Sequence, residues 1–170
     1  NEVDTAKILE IIEDSRETGW VLEPDAKRIL ALAGLDVPRF AWAGNVDQAV
    51  AAAAGIGYPV VAKVVSPRVI HKTEAGGVVT GIRNEDELRA AFAALGRIEG
   101  FQGAVIDETL SGVELIVGAK NDDQFGPVIL LGIGGIGVEL YQDTAIRMAP
   151  LAAHDVDSMI RCLRARRLLE

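Results

Sequence analysis

Apolar residues recur at helical intervals through the first third of the chain, and in short β-branched runs after it. Ile8, Leu9, Ile11 and Ile12 mark one face of a first helix that runs out towards Gly19. EPDAKRILALAGL, residues 23–35, predicts a second helix. Pro24 suits its first turn, Ile29, Leu30 and Leu32 form its stripe, and Gly34 ends it. DVPRFAWAG reads as extended, and NVDQAVAAAAGIG as an alanine-rich helix capped by Asn45 and closed at Gly55 or Gly57. YPVVAKVVS is β-branched and too apolar for a half-exposed strand, and GVVTGI predicts another strand. NEDELRAAFAAL is a helix opened by a capping box, Asn84 with Glu87. GAVIDETL, VELIVGAK and PVILLGIGG are three strand candidates in close succession. HDVDSMIRCLRARRLLE predicts a final amphipathic helix with basic residues towards its C-terminal end.

This order predicts an α+β fold on largely antiparallel sheets, since strict β-α-β alternation is lacking. The run GIGGIG at 132–137 has the wrong spacing for a dinucleotide fingerprint and reads as a tight backbone turn. The 170 residues suit one ordinary domain or two small lobes, and 49% apolar with 25% charged residues is globular composition. A net charge of −8 argues against a non-specific nucleic-acid surface, yet backbone amides and a few lysines can still hold a phosphate. A single cysteine, Cys162, forms no disulfide within the chain and no zinc cluster. With no apolar run of about 18 residues and no signal peptide, a reducing cytoplasm and no membrane partner are the expectation.

The polar residues within this frame suggest chemistry. Lys63 lies inside the apolar strand VVAKVV, where an ammonium is costly to bury without an anionic partner. It either snorkels from an edge strand or belongs to an anion site. Lys72, Gly76 and Gly77 follow, and ammonium groups with glycine amides could together form such a pocket. His71, in SPRVIHKTEAGGV, is either an exposed turn residue or a proton shuttle, metal ligand or phosphoryl acceptor. The acceptor role needs a neutral ring with one nitrogen held, which Glu74 could do. Glu108 and Glu114 flank the turn LSG as solvent-facing strand residues, or as partners for a purine amino group and ribose hydroxyls.

GYPVVAKVVSPRVIHKTEAGGVVTGIRNEDELRAAF resembles the nucleotide-binding (ATP-grasp) domain of the ADP-forming acyl-CoA synthetases, the acetate–CoA ligase (ADP-forming) family. SGVELIVGAKNDDQFGPVILLGIGGIGVELYQDTAIRMAPL resembles that family's second block, and the two together run from about residue 8 to the C-terminus. The resemblance implies an ATP-grasp fold of two small α+β lobes enclosing a nucleotide site. The first would cover approximately 24–100 and part of the second 101–170. It also implies a β-subunit role beside a CoA-binding ligase subunit or fused domain. In that setting acid, CoA and ATP interconvert with acyl-CoA, ADP and phosphate.

The same resemblance implies a phosphohistidine relay through His71, with Glu74 orienting the ring, and Lys63 on the nucleotide phosphates. It implies Glu108 at the adenine hinge, Glu114 near ribose and phosphates, and a further acidic position at Glu139. Two departures from the family pattern carry expectations. GRIEGFQ joins the helix to GAVIDET directly, so the connection is short or residues are missing near Leu95 and Gly96. The sequence stops at Glu170 before the Asn-Pro turn and later Asp that supply the Mg²⁺ ligands. Those ligands are therefore expected beyond Glu170, and Asp143 is not assigned to the metal. Related domains also occur fused to protein acetyltransferases, where they sense ligands. That regulatory role is the alternative.

Overall fold

The computed structural model of the chain describes residues 3–135 and 143–169 and divides into two units, Asn1–Leu110 and Ser111–Glu170. In the first unit, helices α1 (Thr5–Asp14) and α2 (Glu23–Leu32) are followed by β1 (Phe40–Ala43), α3 (Val46–Ile56), β2 (Val60–Val65), β3 (Val78–Ile82), α4 (Glu85–Leu95) and β4 (Gly103–Glu108). The caps follow the sequence. Asn45 Oδ1 accepts from the Gln48 amide at 3.0 Å, and Asn84 Oδ1 from the Glu87 amide at 2.9 Å. Glu87 reaches back to the Arg83 amide at 2.8 Å.

The strands form one antiparallel sheet in the order β1-β4-β2-β3. Register separates two faces. Val60, Ala62 and Val64 share one face with Ala104 and Ile106, and all five are fully buried. Against them pack Ala49 and Ala53 of α3 and Leu88, Phe92 and Leu95 of α4. The small alanines let α3 lie close to the sheet. The short connection after α4 is closed by Ile98 and by Phe101, whose ring meets Phe92 edge-on at 5.5 Å. The alternate positions of the same strands, Val61, Lys63, Val105 and Asp107, project from the opposite face.

The second unit is a three-stranded antiparallel sheet, β5 (Leu115–Asp122), β6 (Gly126–Ile133) and β7 (Thr144–Met148), with α5 (Ala153–Cys162) and a 3₁₀ turn at Arg166–Leu168. Met159 and Leu163 are buried against Ile129, Leu131, Ile133 and Ala145. Among the described residues no helix is long and apolar enough to cross a membrane.

The architecture is the expected α+β with antiparallel sheets, corrected in three places. The strand at 103–108 was assigned to the second lobe, but its backbone pairs with β1 on one side and β2 on the other, so it belongs to the first unit. Strand β7 is absent from the sequence reading, because TAIRM is only five residues long and gives a weak pattern of its own. The last helix stops at Cys162 instead of running on to the C-terminus. Leu163 is extended there, and the Asp143 carboxylate takes the Arg164 and Ala165 amides at 2.7 and 2.8 Å, in place of helix carbonyls. Those two amides hold the Asp143 carboxyl below its usual range.

Candidate functional site

A cluster of five charged side chains gathers on the non-core face of the first sheet, and two of them, Lys63 and Lys72, are candidates from the sequence. Lys63 on β2 and Asp107 on β4 are diagonal neighbours, because Val61 lies opposite Asp107 and Lys63 opposite Val105. The Lys63 ammonium lies 2.9 Å from Asp107 and 3.1 Å from Glu23. Glu23 opens α2 and Lys27 follows one helical turn later, 3.3 Å from it. Lys27 also pairs with Asp107, and its ammonium stands 5.0 Å from the centre of the Phe40 ring. Lys72, from the turn after β2, completes the set by donating to Glu23 Oε2. Lysine on a central strand is thus tolerated because two carboxylates meet it.

Electrostatics within the cluster run against burial. Burial raises the Glu23 carboxyl, but the Lys72 hydrogen bond and the charges of Lys63 and Lys72 outweigh it and bring the group down to about 2. Burial likewise disfavours the Lys63 ammonium, but the Asp107 hydrogen bond and the Glu23 charge leave it more basic than usual. Three ammoniums face two carboxylates, so the cluster keeps one positive charge in surplus. Lys27 and Lys72 are only 12% and 14% exposed, which makes that surplus poorly screened.

His71 precedes Lys72 and is exposed, at the head of a tight turn in which the Ala75 amide donates to the His71 carbonyl at 3.2 Å. His71 and Glu74 line the same open cavity with Arg68, Val69, Ile70 and Ala75. Among the described residues no hydrogen bond joins the imidazole to Glu74, so the expected orienting contact is not made in this conformation. The glycines work differently from the amide cradle expected of them. The Gly76 amide donates to the Thr73 carbonyl and the Gly77 amide to the Lys72 carbonyl, so both are spent within the turn. Gly77 instead permits close approach, since a Cβ there would stand 2.5 Å from Val64 Cγ1 and 3.0 Å from the Lys72 carbonyl oxygen. Gly76 supplies a positive φ of 66°.

Glu108 closes β4 with its carboxylate on the Arg39 guanidinium at 2.6 Å, which holds its carboxyl below the usual range. Glu114 belongs to the second unit. Its carbonyl accepts from the Gly134 amide at 2.6 Å, and a Cβ on Gly134 would stand 2.9 Å from Glu114 Cβ, so the glycine turn is a matter of backbone packing. Glu139 lies outside the described residues. Among the described residues no three His, Cys, Asp or Glu side chains converge to hold a metal ion.

Sequence reasoning missed Glu23, Lys27 and Asp107. The signal for Asp107 was present, because an acid inside GAVIDETL raises the same question as the lysine inside VVAKVV. The Glu23–Lys27 spacing was visible as well.

Residues 13–170 match the ATP-grasp domain family. The chain is 43% identical to the acetate–CoA ligase [ADP-forming] I subunit beta of Pyrococcus furiosus, over 94% of this chain and 73% of that one. It is 39% identical to the acetate–CoA ligase [ADP-forming] I of Archaeoglobus fulgidus, over 98% of this chain but 26% of the relative. It therefore spans about three quarters of the first and a quarter of the second. Among solved structures it resembles an acetyl-coenzyme A synthetase 1 of Ca. Korarchaeum cryptofilum in complex with coenzyme A and Mg-AMPPCP, with a phosphohistidine segment pointing towards the nucleotide binding site. The TM-score is 0.78 at 36% identity, covering 95% of this chain and 73% of that one.

Proposed function

From the premise that this chain belongs to the ATP-grasp family of ADP-forming acid–CoA ligases, we propose that it binds the nucleotide and relays its γ-phosphoryl group through His71. The whole reaction it would serve converts acid, CoA and ATP to acyl-CoA, ADP and phosphate, together with a CoA-binding ligase subunit or domain. One observation carries the reading: the residue beside the exposed histidine, Lys72, shares the carboxylate of Glu23 with the strand lysine, Lys63. The turn that presents the imidazole is thereby tied to a cluster with surplus positive charge.

In this reading Lys63 and Lys72 neutralise phosphate oxygens, which is most of what phosphoryl transfer asks of a protein. A lone pair on neutral His71 forms the N–P bond as the bond from Pγ to the ADP oxygen breaks. Glu74 takes the proton on the ring's other nitrogen once the turn reorients. Gly76 and Gly77 give that turn its shape, and Glu108, Glu114 and Glu139 remain candidates for holding the nucleotide on the strength of the sequence alone. Mg²⁺ would add charge neutralisation, although among the described residues no three His, Cys, Asp or Glu side chains converge to hold it.

The test incubates the full-length protein and its CoA-binding partner with γ-labelled ATP, Mg²⁺, CoA and a short carboxylic acid. Expected are ADP, acyl-CoA and an acid-labile, base-stable label on the peptide containing His71. The His71→Ala variant should carry no label and lose turnover by at least about 10³-fold. An active His71→Ala enzyme would sink the relay.

A further inference from the structure

The turn that carries His71 is firmly held at both stems and by a single side-chain tie between them. At the entering stem, the buried Ser66 hydroxyl donates to the Glu99 carbonyl at 2.7 Å and accepts from the Arg68 amide at 3.1 Å. Trp20 Nε1 reaches the Pro67 carbonyl at 3.4 Å. At the leaving stem, Gly77 is wedged against Val64, and its carbonyl accepts from the Val64 amide at 2.8 Å. The stretch between is open to solvent, with Ile70 67% exposed. Among the described residues, the only side-chain hydrogen bond or ion pair that residues 70–76 make is Lys72 to Glu23.

Glu23 is shared more widely than a structural pair requires. Its two oxygens meet Lys27, Lys63 and Lys72, whereas Asp107 already supplies a carboxylate to Lys27 and Lys63. Only Lys72 depends on Glu23 entirely. A carboxylate at the meeting point of three ammoniums, 21% exposed, sits where an incoming polyanion would find its strongest attraction.

We infer that Glu23 is a resident stand-in for the anionic ligand: it keeps Lys63 and Lys72 in place while the site is empty and, through Lys72, latches the His71 turn to α2. Phosphate oxygens then compete with Glu23 for Lys72, and their arrival frees the turn from the helix. Glu23 is a positioning residue in this scheme. The identity of the polyanion as a nucleotide rests on the function proposed above, whereas the latch does not.

Amide hydrogen exchange on the full-length protein reads the latch without any ligand. In Glu23→Gln the amides of Ala75, Gly76 and Gly77 should exchange about tenfold faster, matching the lower end of a charge-assisted hydrogen bond. The β4 amides of Val105 and Ile106 should keep their rates and so report an intact sheet. Lys72→Met, which leaves Glu23 its other two lysines, should loosen the same three amides if the sheet of Glu23→Gln proves disturbed. Calorimetric titration with pyrophosphate should give an affinity roughly fivefold higher in Glu23→Gln, because a competing carboxylate is gone, and lower in Lys72→Met. Unchanged exchange in both variants overturns the latch. Weaker pyrophosphate binding in Glu23→Gln overturns the stand-in role. Parallel titration with ADP separates the two proposals: binding of pyrophosphate without ADP counts against the nucleotide function and leaves the latch supported.

Discussion

Replacing Asp107 with asparagine tests whether the cluster, and not apolar packing alone, sets the stability of the first unit. Asp107 is 3% exposed and holds two ammoniums on the non-core face of the sheet. Removing one partner of a buried pair typically costs about 3–5 kcal/mol, because the remaining charge is left desolvated. Here Lys27 and Lys63 each retain Glu23, at 3.3 and 3.1 Å, so the lower end, about 3 kcal/mol, applies. With a typical urea dependence, that moves the unfolding midpoint down by roughly 1–3 M. Both tryptophans, Trp20 and Trp42, fall in the first unit, so their fluorescence follows its unfolding without interference from the second. Lys27→Met with Asp107→Leu should recover most of the loss, since a buried pair replaced by apolar groups is often near neutral. A midpoint for Asp107→Asn within about 0.3 M of the parent would falsify the argument that Asp107 compensates the buried lysines.

Acid should weaken the same cluster in a defined window. The Glu23 carboxyl is lowered in the folded state, so its contribution is complete above the ordinary carboxylate range and is lost as pH falls from about 4.5 through about 2. The tryptophan-monitored midpoint of the parent should fall more steeply there than that of Glu23→Gln, and parallel profiles would contradict the ion pairing. Gly77→Ala probes the leaving stem. Its Cβ would lie 2.5 Å from Val64 Cγ1, so overpacking should cost about 1–3 kcal/mol of first-unit stability by the same assay. No loss on this substitution would show that the turn does not need its close seat on β2.

Local signals predicted local structure well, because caps and periodicity act within a few residues. Asn45 and Asn84 cap the helices the pattern predicts, and the β-branched run becomes the sheet's central β2. What escaped depends on pairing between distant segments. VVAKVV presents five apolar residues and one lysine, and nothing within it says that Val60, Ala62 and Val64 face the helices while Lys63 faces the other way. The alternation is hidden because the off-core face is apolar as well, with Val61, Val65 and Val105 on it. The end of the last helix escaped for the same reason, since Asp143 reaches its amides from 21 and 22 residues away.

The charged residues could have been read further by treating each buried charge as an unsolved equation. Lys63 on a central strand requires an anion, and Asp107 in GAVIDETL requires a cation. Antiparallel pairing of their strands, with Val61 opposite Asp107, then sets the two on one face. That solution leaves Glu23, Lys27 and Lys72 to be placed, and the i,i+4 spacing of the first two makes them a unit that can dock as one. What the sequence lacks is the stoichiometry of the meeting. Only the fold shows that three ammoniums gather around two carboxylates, and that the last to join is the neighbour of His71. In the reading proposed above, the surplus charge is what turns a stabilising network into a site, because a cluster satisfied one-to-one would have no call on a further anion. This one does, and the residue holding the place is Glu23.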